Sequence, residues 1–182
     1  MKKRVVIIGG GFAGSNIAKA LENKFDVALI DTKDYFEFTP SVLRTIVEPE
    51  HIKKIQVLHK SYLKNAAVIK GNAKEISKKN VIASSHKFPY DYLVISSGSE
   101  YEPPMKGKDI VIAARAKEFG KYSEKLKKAS NVLIVGGGLV GVELAAEIIE
   151  KYQKKRVVIV EGNRELIERN PRKLKVKLRS KG

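Results

Sequence analysis

The chain has 182 residues, enough for one ordinary domain or two small ones, and 43% of them are hydrophobic, which is sufficient for a core. It contains no cysteine, which excludes structural disulfides, thiolate metal sites and chemistry through a redox-active dithiol. The net charge of +16 includes +7 from residues 169–182 alone, and the rest is lysine scattered among acids such as Glu22, Asp34, Glu75 and Glu124; with no binding motif beside it, specific nucleic-acid recognition is not expected.

From the N-terminus, the basic opening MKKR is followed by only four apolar residues before the glycines, too few for a secretory signal. No stretch approaches the roughly 18 to 20 apolar residues of a membrane span. A soluble cytoplasmic protein is expected, with peripheral contact at the inner face of a membrane left open. Residues 5–8 form a β-branched run, and after the glycines Ala13, Ile17, Ala18 and Leu21 recur at helical spacing as far as Asn23. Residues 25–30 read as a second buried strand ending on Asp31, closing a strand-helix-strand unit. The stretch TKDYFEFTPSVLRTIVEP is aromatic and turn-rich, with Pro40 suited to opening a short helix. Extended runs at 55–58, 67–69 and 81–84, separated by Asn, Gly and Lys, suggest a small antiparallel excursion. Residues 92–96 (YLVIS) are again a buried-type strand, closed by Ser97 and Gly98.

Glu102-Pro103-Pro104-Met105-Lys106-Gly107 interrupts every periodicity, so the expected units are 1–104 and 105–182. Beyond it the pattern gives a strand at 110–112, a helix at 116–128, a strand at 132–135, a helix at 139–152 and a strand at 157–160 ending on Glu161. In the tail, LKVKLR alternates from Leu174 as a strand would, while Leu166 and Ile167 fit a helix. The histidines His51, His59 and His86 lie apart in sequence beside lysines and polar residues and read as surface residues; no metal site is expected.

Gly9-Gly10-Gly11-Phe12-Ala13-Gly14 fits G-x-G-x-x-G with a strand before it, a helix after it, and Asp31 22 residues beyond Gly9. In such a loop Gly9 allows the tight turn, Gly11 lets a pyrophosphate approach the backbone, and Gly14 lets helix and strand pack closely. The helix N-terminus offers amides to the phosphates, and Asp31 can accept from ribose hydroxyls. Gly136-Gly137-Gly138-Leu139-Val140-Gly141 repeats the pattern, with Glu161 25 residues beyond Gly136. An acid at each strand end favours an unphosphorylated ribose, hence FAD or NADH, although Arg164 beside Glu161 keeps NADPH open.

These residues resemble the pyridine-nucleotide-dependent flavoprotein oxidoreductases with two dinucleotide domains, and among them the type II NADH dehydrogenases and apoptosis-inducing-factor-like quinone reductases. The resemblance implies FAD at Gly9, Gly11, Phe12, Ala13, Gly14 and Asp31. YDYLVISSGS resembles the strand whose terminal glycine passes near FAD, here at Ser97 and Gly98. It implies NAD(P)H, with NADH favoured, at Gly136, Gly138, Leu139, Val140, Gly141 and Glu161, and it matches Glu143 to a glutamate near the nicotinamide and flavin rings. FTPSVLR resembles a stretch beside the flavin, implying that Thr39, Pro40 and Ser41 border the ring. Disulfide reductases and sulfide-quinone reductases need cysteines that are absent here, so the implied acceptor is a quinone or another small electron acceptor.

The fold expected is α/β, a Rossmann-like FAD/NAD(P)-binding fold of two dinucleotide-binding units, with the antiparallel excursion in the first and the second incomplete. Family members return to the FAD domain with a Gly-Asp motif, and this sequence has no Gly-Asp pair. The expectation is therefore an N-terminal portion of the family pattern, as a truncated product, as a chain completed by a second polypeptide or a homodimer, or as a reduced two-unit protein. A non-catalytic dinucleotide-binding module is the alternative to an enzyme.

Overall fold

A computed structural model describes residues 1–99 and 112–167. The chain groups into two compact units, Met1–Pro40 with Ile52–Lys117, and Ser41–His51 with the residues from Glu118 onward.

The first unit is built on a four-stranded parallel sheet of β1 (Arg4–Ile8), β2 (Asp26–Asp31), β5 (Ala67–Lys70) and β9 (Tyr92–Ile95), in the order β5-β2-β1-β9. Val6 of the central strand β1 sits opposite Ala28 on one side and Leu93 on the other. Both faces of the sheet are covered, which is why β1 reads as a continuous apolar run rather than an alternating one. On one face Val5 and Ile7 pack with Val27, Leu29, Leu63 and Ala18, the last from α1 (Phe12–Leu21). On the other face Val6 and Ile30 pack with Val81 and Ala83.

Val81 and Ala83 belong to the middle strand of a three-stranded antiparallel sheet, β6 (Ala73–Ile76), β7 (Asn80–Ala83) and β8 (His86–Pro89). Ser84 and Ser85, at φ 48° and 64°, form the two-residue turn between β7 and β8, where a left-handed backbone matches the strand twist. The excursion exists, but its membership differs from expectation. The run at 67–69 became β5, which pairs in parallel with β2, Leu29 opposite Val68. The run at 55–58 became β4 (Gln56–Leu58), paired antiparallel with β3 (Tyr35–Glu37), while α3 (Ile52–Ile55) takes Ile55. Runs of three or four residues carry no information about their partner, and the partner decides the sheet.

Glu22, just past α1, is only 2% exposed. Its carboxylate accepts from Lys19 Nζ at 2.7 Å and from the amides of Lys64 and Asn65 at 2.7 and 2.8 Å. These contacts tie the end of α1 to the segment leading into β5. The Lys19 hydrogen bond, helped by the two amides, holds the Glu22 carboxyl at about 2 against the opposing effect of burial.

In the second unit β10 (Asn131–Val135) and β11 (Arg156–Val160) pair in parallel, Leu133 opposite Val158. They are connected by α6 (Leu139–Lys151), whose Ala145 and Ile148 are buried. The short helix α2 (Arg44–Val47) packs against α6, and Phe119 and Ser123 of α5 (Ile112–Lys128) are buried. Of the strand expected at 110–112, the first two residues lie outside the described ones, and Ile112 opens α5. Leu166 and Ile167 sit in a turn rather than a helix, and the alternating run from Leu174 lies outside the described residues.

Candidate functional site

The first glycine loop joins β1 to α1. Gly9 has φ 96° and donates its amide to Ile30 O at 2.8 Å, holding the turn against β2. A side chain there would be strained by the backbone and would meet Ser96 O at 2.3 Å. A Cβ on Gly14 would lie 1.8 Å from Gly9 O, so only glycine lets the helix approach the turn this closely. Gly11 is different. It caps α1 with extended backbone and no side-chain cap, and nothing lies within 4 Å of where its Cβ would be. The helix N-terminus is therefore approachable by a ligand at Gly11, with Phe12 and Ala13 exposed beside it.

Asp31 closes the loop from the end of β2. Its Oδ2 accepts the Gly10 amide, and its Oδ1 accepts the Lys33 amide at 2.9 Å and the Thr32 hydroxyl at 3.2 Å. Ser15 Oγ donates to Gly10 O at 2.6 Å from the other side. Ser97 adjoins Gly9, its Cα 2.9 Å from where a Gly9 Cβ would stand, and Gly98 follows at φ 72°. Ser96 Oγ donates to Ile8 O and Gly9 O, both at 3.0 Å, fixing the end of β9 to the loop.

One residue of this region was misread from sequence. His59, expected at the surface, is fully buried beneath Gly10, its Nδ1 2.6 Å from the Tyr62 hydroxyl. A lysine on one side and a leucine on the other conceal this, because its burial is set by a loop far away in the chain. Of the other two, His86 is exposed, and His51 is half-buried with its Nε2 2.7 Å from Ser41 Oγ.

The second loop repeats the geometry of the first. Gly136 has φ 107° and donates to Val160 O at 2.8 Å, as Gly9 does to Ile30. A Cβ on Gly141 would lie 2.0 Å from Gly136 O, and Gly138, the cap of α6, has open space where a Cβ would be. Glu161 takes the Gly137 amide on Oε2 at 2.5 Å and the Asn163 amide on Oε1 at 3.0 Å. The Asn163 amide first, then that of Gly137, holds its carboxyl below the usual glutamate range. Leu139 and Val140 are exposed at the start of α6, and Glu143 is exposed on the next turn.

Thr39 and Pro40 open a short helix as expected, of 3₁₀ type, Thr39–Ser41; Pro40 is exposed and Thr39 half-buried. Phe38 before them stacks edge-on against Phe12 with centroids 5.6 Å apart, and Phe36 does so at 5.1 Å. An aromatic cluster thus flanks the first loop's helix start, a feature the sequence shows only as the spacing of FEF. Among the described residues no group of three or more His, Asp or Glu is placed to hold a metal.

The model of the pyridine nucleotide-disulphide oxidoreductase family matches residues 3–181. Apoptosis-inducing factor homologs B and A of Dictyostelium discoideum are 37% and 40% identical, over 94% and 91% of this chain and 46% and 43% of their own length. The structure of NDH2 from Plasmodium falciparum in complex with NADH is similar over the whole chain and 46% of its own, with a TM-score of 0.74 at 21% identity, a likeness of fold. The chain spans about half the length of the curated relatives it matches.

Proposed function

Because the chain belongs to the pyridine nucleotide-disulphide oxidoreductase family, we propose that it serves an FAD-dependent NAD(P)H oxidoreductase whose acceptor is a quinone-type molecule. In this reading residues 1–104 take FAD at the loop of Gly9, and residues 105–182 take NAD(P)H at the loop of Gly136. The observation that carries it is one geometry built twice. Each loop has a glycine turn, an open helix start and a strand-end carboxylate held by the amide of the middle glycine.

The residues present fit dinucleotides. Gly11 and Gly138 leave room for a pyrophosphate to reach the free amides and positive end of a helix. Asp31 and Glu161 are oriented by backbone amides before any ligand arrives, which lowers the ordering needed when ribose hydroxyls bind. A carboxylate there also repels a 2′-phosphate, and the low pKa of Glu161 keeps it charged, favouring NADH over NADPH. The exposed Glu143 would border the nicotinamide, and Phe12, Thr39, Pro40, Ser97 and Gly98 would border the flavin side. When bound, the flavin supplies the redox step, taking a hydride from reduced nicotinamide and returning electrons to the acceptor. Support for NADH comes also from the similar fold of the Plasmodium NDH2, solved with NADH.

The test is a titration of the apoprotein with FAD, followed by quenching of flavin fluorescence. Saturable binding that Asp31→Ala weakens supports the reading. A chain that binds NADH but no FAD would instead be a non-catalytic dinucleotide module.

A further inference from the structure

The buried imidazole beneath the first loop has a free end. His59 opens α4 (His59–Tyr62), donates its main-chain amide to Asp34 O at 2.9 Å and is 0% exposed. Its Nδ1 faces the Tyr62 hydroxyl, which is itself hydrogen-bonded to Ser15, and its Nε2 is buried with no hydrogen-bond partner. A Cβ on Gly10 would lie 2.5 Å from that Nε2 and 2.9 Å from Asp31 Oδ2. The unpartnered nitrogen and the carboxylate that receives the Gly10 amide therefore converge on one point.

A carboxylate offers about four acceptor positions. The Gly10 amide, the Lys33 amide and the Thr32 hydroxyl already use three on Asp31. A ribose hydroxyl and an imidazolium N–H would compete for what remains, because a buried charged donor must find an acceptor. We propose that His59 is a positioning residue for FAD that acts through Asp31: neutral, it leaves the carboxylate to the ribose, and protonated, it claims the carboxylate and weakens FAD binding. This rests on the assignment of FAD to the first loop.

The groups facing the imidazole set the pH range. Burial is the largest influence and Lys33 adds to it, both disfavouring the charged form, while Asp31 and Asp34 favour it; Tyr62, on the same helix, is kept neutral by burial. The outcome is an imidazole that titrates below the ordinary histidine range. Its neutral form prevails at neutral pH, and the effect appears as pH falls below that range.

The test measures the FAD dissociation constant at about pH 7.5 and about pH 5, below the ordinary histidine range. The expected result is a rise of a few-fold at the lower pH in the unmodified protein, smaller than an unperturbed histidine would give, retained in His86→Gln and abolished in His59→Gln. A second measurement needs no variant. Proton NMR of the imidazoles, of which the chain has only 3, should show the His59 midpoint moving to lower pH when FAD binds, by linkage. FAD binding of equal strength at both pH values, a His59 midpoint indifferent to FAD, or pH dependence surviving in His59→Gln overturns the inference and leaves the FAD assignment standing. No FAD binding at either pH overturns both.

Discussion

Glycine serves two separable purposes in these loops. At Gly14 a methyl group would meet the backbone oxygen of Gly9 at 1.8 Å, and neither partner is a flexible side chain. Gly14→Ala is expected to destabilise the protein by about 1 to 3 kcal/mol, read from urea unfolding. Gly11→Ala places its methyl in open space at a backbone angle any residue adopts, so stability should change by under about 1 kcal/mol while FAD affinity falls about tenfold or more. If both variants lose stability equally, Gly11 is a packing residue and the reading of its open face is wrong. Glu22 gives a prediction of a different kind. Its carboxyl is held near 2, so the stability it contributes is present above the ordinary glutamate range and lost as pH falls toward that value. Glu22→Gln should cost about 1 to 3 kcal/mol at neutral pH, and the gap between variant and parent should narrow in acid. A gap independent of pH would assign the effect to packing.

In the proposed reading the strand ends carry the recognition chemistry. Glu161 is held ionised by amides of the following turn and of its own glycine loop, so preference for NADH over NADPH should persist when pH is lowered into the ordinary carboxyl range. Glu161→Gln should reduce that preference about tenfold, measured as the ratio of the two dissociation constants. An unchanged ratio would remove Glu161 from the site. β1, α1, β10 and α6 were legible in the sequence because an apolar run ends at glycines and is followed by helical spacing, and β2 and β11 because an apolar run ends on an acid. Helices α2, α3 and α4 were not, since four residues are too few to display a period of 3.6. The parallel pairing of β5 was invisible for the same reason of length. Both glycine loops and their acids were legible down to the residue, whereas the burial of His59 and Glu22 was not. Lys60 beside His59 and the charge of Glu22 suggest solvent, and the groups that bury them lie elsewhere in the chain: the Gly10 loop for His59, Lys64 and Asn65 for Glu22.

At the scale of the molecule, two loops of one geometry stand in two compact units, in a chain that covers about half of its curated relatives. None of the described helices is long and apolar enough to cross a membrane. We propose that any contact with anionic lipid is made by the basic residues at 169–182. Deleting them should abolish salt-sensitive binding to phosphatidylserine vesicles in a sedimentation assay, and binding that survives the deletion would place the contact elsewhere. The central claim is that an FAD loop and an NAD(P)H loop serve one electron transfer, and flavin absorbance tests it most directly. The protein, reconstituted with FAD under anaerobic conditions, should be yellow, should bleach when NADH is added, and should regain its colour on addition of a soluble quinone. A protein that retains no flavin, or whose bound flavin NADH leaves unbleached, would contradict it.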